Sequence, residues 1–197
     1  MTGWNQRYLQ GEPLHEEPHP VVTRFAGTMA AGRTLDVACG AGRHAVWLAE
    51  RGWDVTAVDS SSAAIDILRQ RTEEKSVTVN AVVADLERAE FTVQQDFYDL
   101  IIVCNYLQRD LFPAIRAGVR PGGAVICVIA MTDDDPNVKP MNPRYMLGAG
   151  ELRGEFSRWK ILHDFEGKPS GAAPRRATAE IVALREILAR VPEADIF

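Results

Sequence analysis

Long apolar runs are missing from this chain. No stretch approaches the ~20 consecutive apolar residues that a membrane-crossing helix needs, so no membrane partner is expected. The amino terminus, Met1-Thr2-Gly3-Trp4-Asn5-Gln6-Arg7-Tyr8, lacks the charged and then apolar regions of a secretory signal, and a cytoplasmic location follows as the expectation. Cysteine is scarce, 3 in 197 residues. Cys39, Cys104 and Cys127 are odd in number, widely spaced and set in or beside apolar runs, which argues against a disulfide framework and a zinc motif and for buried free thiols. Excess positive charge is lacking too: 22 Lys and Arg against 27 Asp and Glu leave a net charge of −5. Such a chain has no general attraction to polyanions, and nucleic acid is not expected as a partner.

Metal-ligand spacing is also absent. His15, His19 and His163 show none with cysteine or with one another and read as structural or exposed, while His44 reads as part of a helix start. Asp133-Asp134-Asp135, in a loop bounded by Pro136, lacks the ligand spacing of calcium loops and reads as a solvated loop near a site mouth. Without repeats, low-complexity tracts or linkers, 197 residues of which 46% are hydrophobic suit one domain over residues 1–197.

What is present is an alternation of apolar runs with helical patterns. Leu35 to Ala38, Trp53 to Val58, Val77 to Val83, Phe97 to Val103 and Ala124 to Ala130 read as strands. Between them, Gly42 to Arg51, the stretch carrying Ile65, Ile67 and Leu68, and Leu111 to Ala117 read as helices, an order that implies a parallel sheet. A short amphipathic helix is predicted from Pro20 to near Gly32, preceded by a proline-broken stretch. Arg120-Pro121-Gly122-Gly123 predicts a turn, Glu151 to Phe156 a short helix, and Trp159 to Phe165 a strand. Ala177 to Leu184 fits two patterns: Ile181, Leu184, Leu188 and Val191 have helical spacing, yet the stretch could pair with Trp159 to Phe165 across Gly167 to Pro174.

The segment whose order dictates a ligand is Leu35-Asp36-Val37-Ala38-Cys39-Gly40-Ala41-Gly42-Arg43-His44-Ala45. A strand, a glycine turn and a helix in succession form the crevice where open α/β sheets bind nucleotides. Gly40-x-Gly42-x-x-Ala45 satisfies the loose dinucleotide pattern and keeps a nicotinamide-dependent oxidoreductase open as an alternative. Asp36 points elsewhere, because a carboxylate beside a helix amino terminus repels a pyrophosphate. It suits S-adenosylmethionine, which has no phosphate and carries an ammonium and a sulfonium.

Asp36-x-Ala38-x-Gly40-x-Gly42 resembles the signature of class I S-adenosylmethionine-dependent methyltransferases, with Ala38 in place of its first glycine. The later strand ends follow suit with Asp59, Asp85 and Asn105. Asp59 lies nineteen residues beyond Gly40, near the interval of about 20 at which an acid reaches ribose hydroxyls; its other role would be to cap the next helix, as Ser60 or Ser61 also could. Asp85 would accept the adenine amino group with the Leu86 backbone at the ring edge, or serve as a surface acid in a turn.

Asn105-Tyr106-Leu107-Gln108-Arg109, Leu111-Phe112-Pro113-Ala114, Arg120-Pro121-Gly122-Gly123, Asn142-Pro143-Arg144-Tyr145-Met146-Leu147 and Gly150-Glu151-Leu152 closely resemble small bacterial methyltransferases of the tellurite-resistance and thiopurine-methyltransferase-like group. Trp4-Asn5-x-Arg7-Tyr8 is similar to that group's opening segment. The resemblance implies a Rossmann-like three-layer sandwich whose seven-stranded, mostly parallel sheet ends in an antiparallel strand, and it tips 177–184 toward that strand. It implies an amino-terminal lid and helix in residues 1–32, a cofactor-binding core in 33–132, and an acceptor-side loop, helix and hairpin in 133–197. It implies S-adenosyl-L-methionine as cofactor, held by Asp36, Ala38, Cys39, Gly40, Gly42, Asp59, Ser60, Asp85, Leu86 and Asn105. In the lid, Arg7 would meet the cofactor carboxylate and Trp4 would cover apolar surface.

Methyl transfer from a sulfonium needs alignment and exclusion of water more than a catalytic triad. Tyr106 and Arg109, after the fourth strand, are the candidate acceptor-side residues, or else a packing side chain and a surface charge. The acceptor is expected to be a small molecule. Val128-Ile129-Ala130-Met131-Thr132 departs from the polar strand end expected there and, with Ala38, leaves a non-catalytic cofactor-binding module as a third reading.

Overall fold

Strands covered on both faces are nearly continuous in apolar residues rather than alternating, and the stretches of that kind lie side by side in the computed structural model. The structure describes residues 3–11, 17–168 and 176–187. Its strands are β1 (Arg33–Val37), β2 (Asp54–Asp59), β3 (Val79–Val83), β4 (Tyr98–Cys104), β5 (Val119–Ala130), β6 (Lys160–Gly167) and β7 (Thr178–Leu184). They form one seven-stranded sheet in the order β3-β2-β1-β4-β5-β7-β6. Neighbours from β3 to β5 are parallel, and β7 runs antiparallel to both β5 and β6. This is the sheet expected, with β1 at the switch point where successive connections leave in opposite directions.

Helices α1 (Gly3–Leu9), α2 (Pro20–Ala26), α3 (Arg43–Ala49), α4 (Ser62–Lys75), α5 (Phe112–Gly118) and α6 (Glu151–Glu155) complete the fold. On one face, Val55, Ala57, Leu100, Ile102, Ile126 and Val182 pack with Val22 of α2, Ala45 and Leu48 of α3, and Ile65 and Leu68 of α4. On the other, Leu35, Val37, Ile101, Val103 and Ile181 pack with Phe112 and Ile115 of α5 and with Leu152 of α6. Layers of helix, sheet and helix result.

Two boundaries differ from expectation, and the strand implied for 177–184 is present. The helix from Pro20 stops at Ala26 instead of near Gly32, because the Gly27 amide turns back to the carbonyls of Thr23 and Phe25. The fifth strand begins at Val119, paired with Tyr98; Arg120 to Gly123 bulge out before pairing resumes at Ala124 with Leu100. Residues 178–184 are a strand despite their helical spacing. Ala179 to Ala183 are all buried, since β7 lies between β5 and β6 with cover on both faces, so no polar stripe marks a period. His15, Leu188 and Val191 lie outside the described residues, as does much of the connection between β6 and β7.

Candidate functional site

Between β1 and α3 the chain passes Ala38, Gly40 and Gly42 with φ of 51°, 55° and 77°. Gly42 is the amino-terminal cap of α3, and a Cβ there would overlap the Leu68 side chain. At Gly40 a Cβ would overlap the Tyr8 hydroxyl. Ala38 shows that the turn survives loss of its first glycine, at the roughly 1–2 kcal/mol that a left-handed conformation costs an L-residue.

Asp36 lies beneath this turn at 1% exposure. The Ala45 amide donates to its carboxylate and the Arg43 guanidinium lies nearby, yet burial dominates and pushes its pKa up to about 7. Its Oδ2 has no hydrogen-bond partner among the described residues. The Arg43 guanidinium acts against that shift, favouring the charged form of Asp36.

Asp59, the last residue of β2, binds the turn directly. Its Oδ2 accepts the Gly40 amide at 2.8 Å and its Oδ1 the Ser61 amide at 2.8 Å. Burial raises its pKa, opposed by the amides of Ser61, Gly40 and Ser60. The cap of α4 is Ser61, whose hydroxyl accepts from the Ala64 amide at 3.1 Å, so Asp59 is not that cap and exposed Ser60 contributes only its amide here. Cys39 is buried, its amide donating to the Val58 carbonyl at 3.0 Å, and burial pushes its thiol well up, as it does for Cys104 and Cys127. All three are the unreactive thiols expected.

Past β3, the Asp85 carboxylate accepts the Glu87 amide at 3.0 Å and caps the 3-10 turn Leu86–Arg88. The Leu86 carbonyl accepts from Gln108 Nε2 at 3.3 Å. Asn105, exposed at the end of β4, takes φ 58°, a conformation asparagine tolerates. These residues line the carboxyl ends of β2, β3 and β4 as the sequence implies.

Tyr106 and Arg109 are placed differently. The half-buried Tyr106 hydroxyl donates to Gln108 Oε1 at 2.6 Å. Burial raises its pKa, and Glu87, Asp85, Asp110 and Asp59 add to the effect, so it sits among the strand-end acids of β2 and β3. Arg109 is a clamp: Nε donates to Glu151 Oε1 at 2.5 Å, Nη2 to Glu151 Oε2 at 3.1 Å, and Nη1 and Nη2 to the carbonyls of Arg144 and Met146 at 2.9 Å. It fastens the 144–151 loop to the end of β4.

The amino-terminal helix presents another face than expected. Trp4 is 58% exposed, with the Arg7 guanidinium stacked 4.3 Å from its ring centroid. Asn5 meets the start of α4, and Tyr8 meets the turn. Asn5 Oδ1 accepts the Ser61 hydroxyl at 2.9 Å and the Ala63 amide at 3.0 Å. The Tyr8 hydroxyl accepts the Ala41 amide, and burial beside Asp59 raises its pKa. Their spacing of three residues was the available signal, because it puts both on one face of a helix and Trp4 with Arg7 on another.

Asp133 accepts the Asp135 and Ala177 amides, and Lys168 pairs with both acids, so this loop is tied down where solvation was expected. His19 caps α2 and His44 is buried in α3, both structural as expected. Among the described residues, no group of three or more His, Cys, Asp or Glu is placed to hold a metal, and no helix is long and apolar enough to cross a membrane.

A buried carboxylate oxygen without a partner among the described residues, a glycine turn above it and acids at successive strand ends fit an amino-acid cation joined to a nucleoside. Comparison with known proteins agrees in fold. The chain is 32% identical over 149 residues to hemagglutinin 1 of Eikenella corrodens, covering 73% of this chain and 49% of that protein. It is 28% identical over 149 residues to the probable S-adenosyl-L-methionine-dependent methyltransferase TehB of Haemophilus influenzae, covering 73% and 51%. The chain thus spans about half the length of these curated relatives. The crystal structure of TehB from Haemophilus influenzae superposes with a TM-score of 0.75 at 22% identity, covering 92% of this chain and 67% of that one. The model of the tellurite resistance protein TehB family matches residues 6–169, and the chain belongs to that family.

Proposed function

We propose that this chain binds S-adenosylmethionine and passes its methyl group in line to a small-molecule acceptor. The carrying observation is Asp36, a buried carboxylate whose Oδ2 has no partner among the described residues and which lies beneath the glycine turn between β1 and α3. An ammonium completes it; a pyrophosphate would be repelled by the Asp36 carboxylate, which disfavours the nicotinamide reading. The relative named as a probable S-adenosyl-L-methionine-dependent methyltransferase supports the same cofactor.

The residues divide the work. Asp36 holds the ammonium, the amides of the 38–42 turn border the methionine part, and Tyr8 closes over Gly40. Asp59 faces the ribose with Ser60, and Asp85 with the Leu86 backbone faces the adenine. When bound, the cofactor supplies a methyl group on a positively charged sulfur. The chain contributes alignment, exclusion of water and neutralisation of charge.

Calorimetry with S-adenosylhomocysteine tests the reading, and its pH dependence tests Asp36. The raised Asp36 pKa means that, from the ordinary carboxylate range up to about 7, the folded protein holds a proton that the unfolded chain has lost. Stability of the ligand-free protein therefore falls as pH rises through that window. Arrival of the ammonium ionises Asp36, so binding at pH 6 should release nearly one proton, seen as a buffer-dependent enthalpy that vanishes above pH 8. No binding by folded protein would sink the proposal, and tight NAD binding would revive the oxidoreductase. Absence of turnover despite binding would favour the regulatory module.

A further inference from the structure

The sheet order divides the site. Asp59 and Asp85 end β2 and β3 on one side of β1, so a molecule reacting with the cofactor's methyl group must come from the other side, over β4, β5 and β7. β7 is antiparallel, so its first residues, Thr178 and Glu180, lie at the end of the sheet where the parallel strands finish. They are paired with Ala130 and Val128 of β5. Cys104 pairs with the same Val128, placing Cys104 and Glu180 in one row. Glu180 alternates with Ile181, which packs on the α5 face, and so points to the face beneath α2 and α3 that Asp36 also occupies.

On that face Glu180 is 8% exposed. Its Oε2 is bound by His163 Nε2 at 2.9 Å, whereas Oε1 makes no hydrogen bond among the described residues and faces His19 Nε2 at 3.8 Å. His19 Nδ1 accepts the Val21 amide, so its proton sits on Nε2 and the ring is neutral; burial favours that form, with Arg43 and His163 acting in the same direction against Glu180. Below it, His44 Nε2 accepts the His19 amide at 3.2 Å, and burial lowers its pKa to about 3. Glu180 thus lies between the rings of His163 and His19. Two residues along β7, Thr178 Oγ1 is buried and has no partner. Near the end of β7, on that face, Glu180 Oε1 and Thr178 Oγ1 therefore have no hydrogen-bond partners among the described residues, and one of them belongs to a carboxylate.

Resting on the methyl-transfer reading, we propose that Glu180 Oε1 and Thr178 Oγ1 receive the N–H groups of an amine acceptor. The nitrogen lone pair forms the new N–C bond while the C–S bond breaks and its electron pair returns to sulfur. Positive charge passes to the nitrogen, where the fixed carboxylate of Glu180 stabilises it; no base is needed for that step. The surplus proton leaves the methylammonium afterwards, to solvent. An oxyanion such as tellurite would meet Glu180 at a like charge.

The test uses the full chain with methyl-labelled S-adenosylmethionine, benzylamine and spermidine as amine probes, and tellurite and benzyl mercaptan as counter-probes. Amines should be methylated, and Glu180→Gln, which keeps an acceptor for His163, should lower kcat on them about 100-fold. Its affinity for S-adenosylhomocysteine should stay within about twofold. Thr178→Val removes only the uncommitted hydroxyl. It should fold at least as well as the parent and raise the amine KM about 3- to 10-fold. Methylation of tellurite or the thiol but no amine, or unchanged amine kinetics in both variants, overturns the amine assignment while leaving methyl transfer standing. Failure of the parent protein to bind S-adenosylhomocysteine removes both.

Discussion

The two sides of β1 are built on different logic. Toward β2 and β3, each strand ends in an acid that is next to its partners in sequence or one crossover away. Asp59 reaches the Gly40 amide and caps its own strand end, and Asp85 caps the turn that follows it. Toward β4, β5 and β7, contacts join segments farther apart: Arg109 with Glu151, 42 residues away, and the His19 amide with His44, 25 away. The cofactor side can therefore be assembled from local motifs, whereas the acceptor side exists only after the antiparallel hairpin has docked.

Substitutions at the turn break this comparison most severely. Gly42→Ala demands a left-handed alanine and drives its Cβ into Leu68. It should destabilise the protein by about 3 kcal/mol, the sum of strain and overpacking, seen as a lowered Tm. Asp59→Ala comes next. It removes an acceptor from the amides of Gly40 and Ser61 and should weaken S-adenosylhomocysteine binding about 10- to 100-fold, the value of a charged hydrogen bond or two. The Arg109 clamp on the other side should be untouched, so hydrogen exchange in residues 144–151 should match the parent. Slowed protection there would show that the two sides are coupled. The smallest effect is Ala38→Gly, which relieves positive φ and should stabilise by about 1 kcal/mol at most, because glycine loses more freedom on folding.

The alternation of strands and helices, the turn and the acids at Asp36, Asp59 and Asp85 were legible because each lies within a few residues of the chain feature that gives it meaning. The lid was half legible. Trp4 and Arg7 drew notice as large, interacting side chains, yet they share the outer face of α1, and the inner face belongs to Asn5 and Tyr8. Arg109 was noticed for its place after β4, but its partners lie 35 to 42 residues away, and no local pattern announces them. Residues 178–184 carried a helical spacing that burial between two strands made irrelevant.

By itself the sequence determined a parallel sheet, its switch point and the charge that any ligand of the glycine turn must complement. These depend on periodicity, glycine conformations and short-range acids, all properties of neighbouring residues. Only the tertiary structure decided which side of α1 faces the crevice, that Arg109 is a fastening, and that Glu180 and Thr178 hold uncommitted oxygens beside the acceptor approach. Those depend on register and burial across segments far apart in the chain, where the pairing of strands, rather than spacing along one, sets which atoms meet.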